Sequence, residues 1–196
     1  MKKILLATKN KNKVLELERL FINTNIKVLS LNDVDIPDVI EDQDSFEGNA
    51  LKKAHEIYIN TGMLSLADDS GLEVDYLNGA PGIYSARFYS ENASHEENNR
   101  KLLELMKNVP YEKRNARFRC SLALVGENIK KITNGVAEGY ILTEYKGNNG
   151  FGYDPLFFYT KLNKTFAEMT KEEKNKVSHR ALAFKEMIAY IINNLH

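Results

Sequence analysis

Apolar and polar positions along the chain follow two rhythms, one of strand period and one of helical period. Residues 3–7 form a short apolar run of strand length. A polar loop follows over 8–12, and then a spacing that puts Val14, Leu17, Leu20 and Phe21 on one helical face. Strand, polar loop, helix is how an α/β unit begins. Residues 26–31 predict the next strand. An acidic, irregular stretch covers 33–44, after which Ser45 is placed to cap a helix over 46–60 with Ala50, Ala54, Ile57 and Tyr58 as its apolar stripe. Residues 64–67 predict a short strand that ends at an acidic turn, Asp68-Asp69-Ser70-Gly71.

In the second half, Ser94 predicts the cap of a helix reaching Val109, with Leu102, Leu103, Leu105 and Met106 inward. Residues 117–125 and 129–142 alternate in strand fashion and are joined at Gly126-Glu127-Asn128 as a hairpin. A glycine-rich loop spans 147–152, and Thr170 with Glu173 makes a capping box for a short turn. Ser178 then caps a last helix with Leu182, Phe184, Ile188, Ile191, Ile192 and Leu195 toward the core. These elements predict an α/β protein with a mixed sheet and two lobes around a cleft, the polar loops gathering at element ends. A chain of 196 residues fits a single domain, 1–196.

Composition narrows the partners. The 27 basic and 27 acidic residues cancel, so no global field draws the protein to nucleic acid or to an anionic membrane, and any anion must be held by a local cluster. The apolar runs fall well short of the roughly 18 residues a bilayer span needs. Ile4 to Ala7 is too short for a signal-peptide core, and the expected location is cytoplasmic. Cys120 is the single cysteine, within the apolar run 118–125; an internal disulfide is excluded and an inert buried thiol is expected.

Five segments carry candidate chemistry. Thr8, Lys9, Asn10, Lys11, Asn12 and Lys13 lie between a strand and a helix N-terminus, where backbone N–H groups and lysines favour phosphate; a solvated basic loop is the plain alternative. In Asp68-Asp69-Ser70-Gly71, adjacent carboxylates repel each other, and a hard divalent cation relieves that repulsion, Mg²⁺ taking one or two carboxylates plus substrate phosphates. A turn with one capping aspartate is the alternative. Glu41 is the best candidate for a further metal ligand. Lys53 shares a helix face with Asn49, four residues earlier, and is placed to meet a phosphate or a carboxylate. Phe151, Gly152, Tyr153 and Asp154 close the glycine-rich loop, where an aromatic ring can stack on a base and the aspartate can accept from a ring N–H or a sugar hydroxyl; a tight turn anchored by aromatics in the core is the equal alternative. His179 and Arg180 open the last helix, with Lys174 just ahead of it, as donors able to read a carbonyl oxygen or as ordinary capping residues. His55, His95 and His196 have no metal-site spacing.

Taken together and in order, ATKNKNK at 7–13, SFEGNALKKA at 45–54, ADDSGLEV at 67–74, GAPGIYSARF at 79–88, GFGYDPLF at 150–157 and EEKNKVSHR at 172–180 closely resemble the Ham1-like inosine/xanthosine triphosphate pyrophosphatases. The resemblance runs over nearly the whole chain. It implies an elongated mixed sheet with flanking helices and a nucleotide cleft, a homodimer, and Mg²⁺-dependent cleavage of ITP, dITP and XTP to the monophosphate and pyrophosphate. By position it implies that residues 8–13 hold the triphosphate with help from Lys53. Glu41 and Asp69 would bind metal, and Asp69 would also take the proton of the attacking water. Ser70 would touch substrate, and residues 151–154 with Lys174, His179 and Arg180 would form the pocket for base and sugar. Phe88 stands where many members have tyrosine, and Lys9 and Asn12 where bacterial members have glycine. The rival expectations are a pool-cleaning pyrophosphatase of different base preference and a nucleotide-binding module without catalysis.

Overall fold

The computed structural model describes residues 2–10, 14, 15, 18, 21, 22, 26–34, 36 and 39–194. Two parallel strands open the fold. β1 (Lys2–Leu6) pairs with β2 (Ile26–Ser30) from Lys2↔Ile26 to Leu6↔Ser30. Parallel neighbours need a crossover, and helical backbone at Val14, Leu15, Glu18 and Phe21 lies in the connection. Leu17 and Leu20 of the expected apolar face lie outside the described residues.

Ser45 accepts from the Gly48 amide and opens α1 (Phe46–Thr61), which ends at Gly62, φ 67°, whose amide donates to the Tyr58 carbonyl. A glycine in that left-handed position is the usual helix stop. Ala50, Ala54 and Ile57 are buried against Leu5, Ala7, Ala67, Ala123 and Val125, with Tyr58 partly buried beside them. Ser45→Ala removes the cap from the helix that carries Asn49 and Lys53, and is expected to cost about 1 kcal/mol, read as a lower urea midpoint at unchanged slope.

The strand expected to stop at residue 67 continues. β3 runs Ser65–Val74, so Asp68-Asp69-Ser70-Gly71 is strand interior and not a turn. Asp, Ser and Gly favour turns because they bond locally or relax φ. Here Leu66, Leu72 and Val74 on either side are fully or almost fully buried, and packing of a strand flanked on both ends overrides the local preference. β1 also pairs with β3 in parallel, Leu5↔Ser65 and Leu6↔Leu66. The chain therefore leaves β1 for β2 on one side and returns to the other side for β3. In open α/β sheets such a reversal of strand order opens a crevice at the carboxyl ends of the strands, where ligands bind.

In the second half, Ser94 and Glu97 form a reciprocal capping box for α2 (His95–Leu105). The helix stops short of Val109. Leu102 and Met106 are buried and Leu103 is partly buried, but Leu105 is 47% exposed, not inward. Just past the helix, the Arg114 guanidinium donates to the carbonyls of Met106, Val109, Ile141 and Leu142, tying the segment after the helix to the end of the last long strand. β4 (Asn115–Gly126) and β5 (Ile129–Ile141) meet at Glu127–Asn128, with Asn128 at φ 56°. β6 (Phe157–Tyr159) and β7 (Lys164–Thr165) add antiparallel partners to β5. The seven strands form one mixed sheet in the order β2-β1-β3-β4-β5-β6-β7.

Thr170 and Glu173 cap α3 (Lys171–Val177), and Ser178 accepts from the Ala181 amide at the start of α4 (His179–Asn194). The buried stripe of α4 is Ala183, Phe184, Met187 and Ile191; Leu182 and Ile192 are exposed, Ile188 is half-buried and Leu195 lies outside the described residues. Several apolar stripes are available on this helix. The one that wins is set by partners: Thr133 Oγ1 donates to the Ala183 carbonyl, and Phe21 meets Phe184 edge-on at 4.9 Å. Cys120 is buried, as expected.

Two compact units emerge. The first holds Met1–Asp69, Ser121–Asn134 and Ala183–His196, and the second holds Ser70–Cys120 and Gly135–Leu182. The core of the second gathers Leu72, Leu102, Met106, Phe118, Phe157 and Phe166. Among the described residues no helix is long and apolar enough to cross a membrane.

Candidate functional site

In the first unit, polar chemistry collects at the carboxyl end of β1 and along β3. Leu6 is level with Leu66, so the loop at Thr8 and the acidic pair at Asp68 reach the same end of the sheet. Asp68 and Asp69 are 2% and 5% exposed, a burial that carboxylates tolerate only when charges or donors compensate. Asn49 Nδ2 donates to Asp69 Oδ2 at 2.9 Å, while Asn49 Oδ1 accepts from the Gln43 amide at 2.9 Å. The asparagine is thus gripped at both ends and fixes the carboxylate. Lys53, 8% exposed, donates from Nζ to the Asp68 carbonyl at 2.8 Å and pairs with Glu41 Oε1. Burial alone would depress the Lys53 pKa. The charges of Asp68, Glu41 and Asp69 together outweigh it and hold the ammonium above its ordinary value. Lys53 is a buried, permanent cation at neutral pH.

Thr8, Lys9 and Asn10, the described part of the loop expected to hold phosphate, form a strand-to-helix connection. The Asn10 amide donates to Thr8 Oγ1 at 3.2 Å, the Thr8 amide donates to the Leu6 carbonyl at 2.8 Å, and the Asn10 carbonyl receives the Val14 amide at 3.0 Å. Lys9 and Asn10 are exposed. Lys11, Asn12 and Lys13 lie outside the described residues.

The second unit assembles the other expected residues. Phe151 is half-buried, with Lys174 Nζ 5.0 Å and Arg180 Cζ 5.9 Å from its ring centroid, both within cation–π range. Lys174 Nζ also binds Asp154 Oδ2 at 2.7 Å, and the same oxygen accepts from the Phe151 amide at 2.8 Å. Tyr153 turns inward: it is buried, its hydroxyl donates to the Ser85 carbonyl at 2.8 Å, and burial pushes its phenol pKa up. Tyr153 and Asp154 are therefore engaged in fastening the loop. Gly152, at φ 61°, carries the bend between Phe151 and Tyr153. His179 is buried and stacks on Phe118 at 4.7 Å, and Arg180 Nη2 donates to Ser70 Oγ at 3.1 Å. Ser85 ties this unit's parts together, its hydroxyl accepting from the Leu72 amide at 2.9 Å and donating to the Gly82 carbonyl at 2.6 Å.

Among the described residues no three His, Cys, Asp or Glu side chains form a cage for a metal. The oxygen donors around Lys53 suit a different mode, in which a hard cation takes one or two carboxylates and completes its shell from substrate phosphates and water.

Residues 4–190 match the model of the Ham1 family. The chain belongs to that family. It is 45% identical over 194 residues to the dITP/XTP pyrophosphatase of Thermoanaerobacter sp. (strain X514), covering 98% of each. It is 49% identical over 195 residues to the enzyme of the same name from Clostridium perfringens, covering 95% of this chain and 96% of the relative. The solved structure of a HAM1 protein from Coxiella burnetii matches with a TM-score of 0.92 at 37% identity, covering 98% of this chain and 100% of that one.

Within this Ham1 chain, Asn49, Ser85 and Asn99 are polar residues whose roles the linear pattern did not reveal. A signal for the first was present: Asn49 and Lys53 sit at the helical spacing of Phe46, Ala50, Ala54 and Ile57, so two polar side chains occupy a face that otherwise buries.

Proposed function

We propose that this chain hydrolyses dITP, ITP and XTP to the nucleoside monophosphate and pyrophosphate, with Mg²⁺ as cofactor. The observation that carries the reading is the buried trio of Asp68, Asp69 and Lys53, with the half-buried Glu41 paired to the lysine, just past the carboxyl end of β1 and inside β3. Buried carboxylates gathered around a buried lysine are costly to fold and useful for phosphoryl chemistry. The relatives' names supply the substrate class.

Glu41 and Asp69 would hold the Mg²⁺, which when bound neutralises phosphate charge as pyrophosphate departs. Asp69 takes the proton of the attacking water, its carboxylate held in place by Asn49. Thr8, Lys9, Asn10 and the following Lys11, Asn12 and Lys13 contact the phosphates, and Lys53 adds a fixed positive charge beside the reacting group. In the second unit, Phe151 offers its ring to the base, and Gly152, Tyr153 and Asp154 set the loop that presents it. Lys174, His179 and Arg180 supply donors, with Ser70 beside Arg180. Hypoxanthine and xanthine present a carbonyl at position 6, which accepts from these donors, whereas adenine presents an amino group there, so donor would face donor. The protein acts as a cytoplasmic homodimer on this reading, and light scattering of the purified chain checks the dimer.

Hydrolysis in ¹⁸O-labelled water, with ITP, dITP, XTP, GTP and ATP compared under equal Mg²⁺, tests the reading. Label in the monophosphate, unlabelled pyrophosphate and loss of activity with EDTA are expected. Orthophosphate as product, or ATP turned over as fast as ITP, contradicts it. A second check falls on Asn49: Asn49→Ala is expected to lower activity about 10–100-fold, as loss of an outer partner of a metal-site ligand does, with ITP turnover as the measurement.

A further inference from the structure

α2 turns one face toward the loop 150–154. His95 lies 6.1 Å, centroid to centroid, from the Phe151 ring, and Asn99, four residues on and so on the same face, donates from Nδ2 to the Gly152 carbonyl at 2.9 Å. Asn99 is 3% exposed, and its Oδ1 is buried with no hydrogen-bond partner among the described residues. An orphaned buried acceptor destabilises the fold. Reversing the amide would set oxygen against the Gly152 oxygen, so the observed orientation is the one the contact dictates. A leucine of similar size would abolish the penalty and continue the apolar face of the neighbouring Leu102 and Leu103. The amide is a poor choice for stability alone, and what it provides in return is the bond to Gly152.

That bond falls inside a turn that the Asp154 amide closes by donating to the Phe151 carbonyl at 3.3 Å. A Cβ at Gly152 would meet no atom within 4 Å, so the space beside its Cα is open. The neighbouring residues are tied elsewhere: the Asn149 amide to Ala167, the Phe151 amide to Asp154, and the Tyr153 hydroxyl to Ser85. The Gly152 peptide, one step from Phe151, is tied instead to α2, by the Asn99 side chain.

We propose that Asn99 is a positioning residue for base recognition: its amide clamps the Gly152 carbonyl and so holds Phe151 in place before the nucleotide arrives. This rests on the pyrophosphatase reading above. A loop ordered in advance spares the ordering cost at binding, so the contribution belongs to substrate affinity and not to the bond-breaking step.

The test is Asn99→Leu in the full chain. The KM for ITP is expected to rise about tenfold with kcat unchanged, Tm to stay level or rise, and amide hydrogen exchange over residues 147–156 to accelerate while the rest of the chain is unaffected. An unchanged KM, an unchanged exchange rate in that loop, or a fall in Tm with KM and kcat moving together overturns the proposal. Asn99→Ala, which removes the amide without adding bulk, is read the same way should the leucine fail to fold. Absence of pyrophosphate release by the wild-type protein in the same assay counts against the pyrophosphatase reading, and the exchange measurement still decides whether Asn99 holds the loop.

Discussion

Asp69→Asn is expected to fold like the parent and to lose about a thousandfold in kcat, within the range that general acid–base groups contribute. The fold survives because the substitution preserves the contact that matters for packing. Asn49 Nδ2 donates to Asp69 Oδ2 at 2.9 Å, and an asparagine at 69 presents a carbonyl oxygen of the same reach to the same donor. Lys53 keeps Glu41 as its ion-pair partner and the Asp68 carbonyl as its acceptor, so the buried ammonium is not stranded. What disappears is the charge: an amide neither accepts a proton from water nor offers an anionic oxygen to a hard cation. Pyrophosphate release at saturating ITP, with circular dichroism and Tm as controls, reads the effect. Turnover within tenfold of the parent, with an intact fold, would remove Asp69 from the chemistry.

Much of the fold was legible because its signals are local. A helix cap is settled within three residues, which is why Ser45, Ser94 and the Thr170–Glu173 box mark their helices correctly. The β4–β5 hairpin was equally plain from alternation on both sides of Glu127–Asn128. Features decided by distant partners were not legible. Asp68-Asp69-Ser70-Gly71 has turn composition, and its strand state is imposed by β1 beside it and by burial on both sides. The buried stripe of α4 likewise follows from Thr133 and Phe21, not from the helix's own sequence. The same limit applies to the site. The residue types around Lys53 could be picked out one by one, but their gathering onto a single ammonium belongs to the fold. The loop 151–154 could equally stack on a base or be anchored in the core by its aromatics, and Tyr153 takes the second course, its hydroxyl spent on Ser85, far away in sequence.

Lys174→Met is expected to destabilise the protein by about 3–5 kcal/mol, the usual consequence of removing one member of a buried ion pair. Lys174 Nζ lies 2.7 Å from Asp154 Oδ2, with the lysine 9% and the aspartate 3% exposed. Methionine keeps the length of the side chain and its contact with the rings of Phe151 and Phe166, which the ammonium approaches at 5.0 and 5.7 Å. The loss is therefore one of charge and not of volume. Asp154→Asn added to Lys174→Met removes the uncompensated charge yet keeps an oxygen for the Phe151 amide, and should restore most of the lost stability. A double variant no more stable than the single one would mean that the ion pair is not what holds this loop.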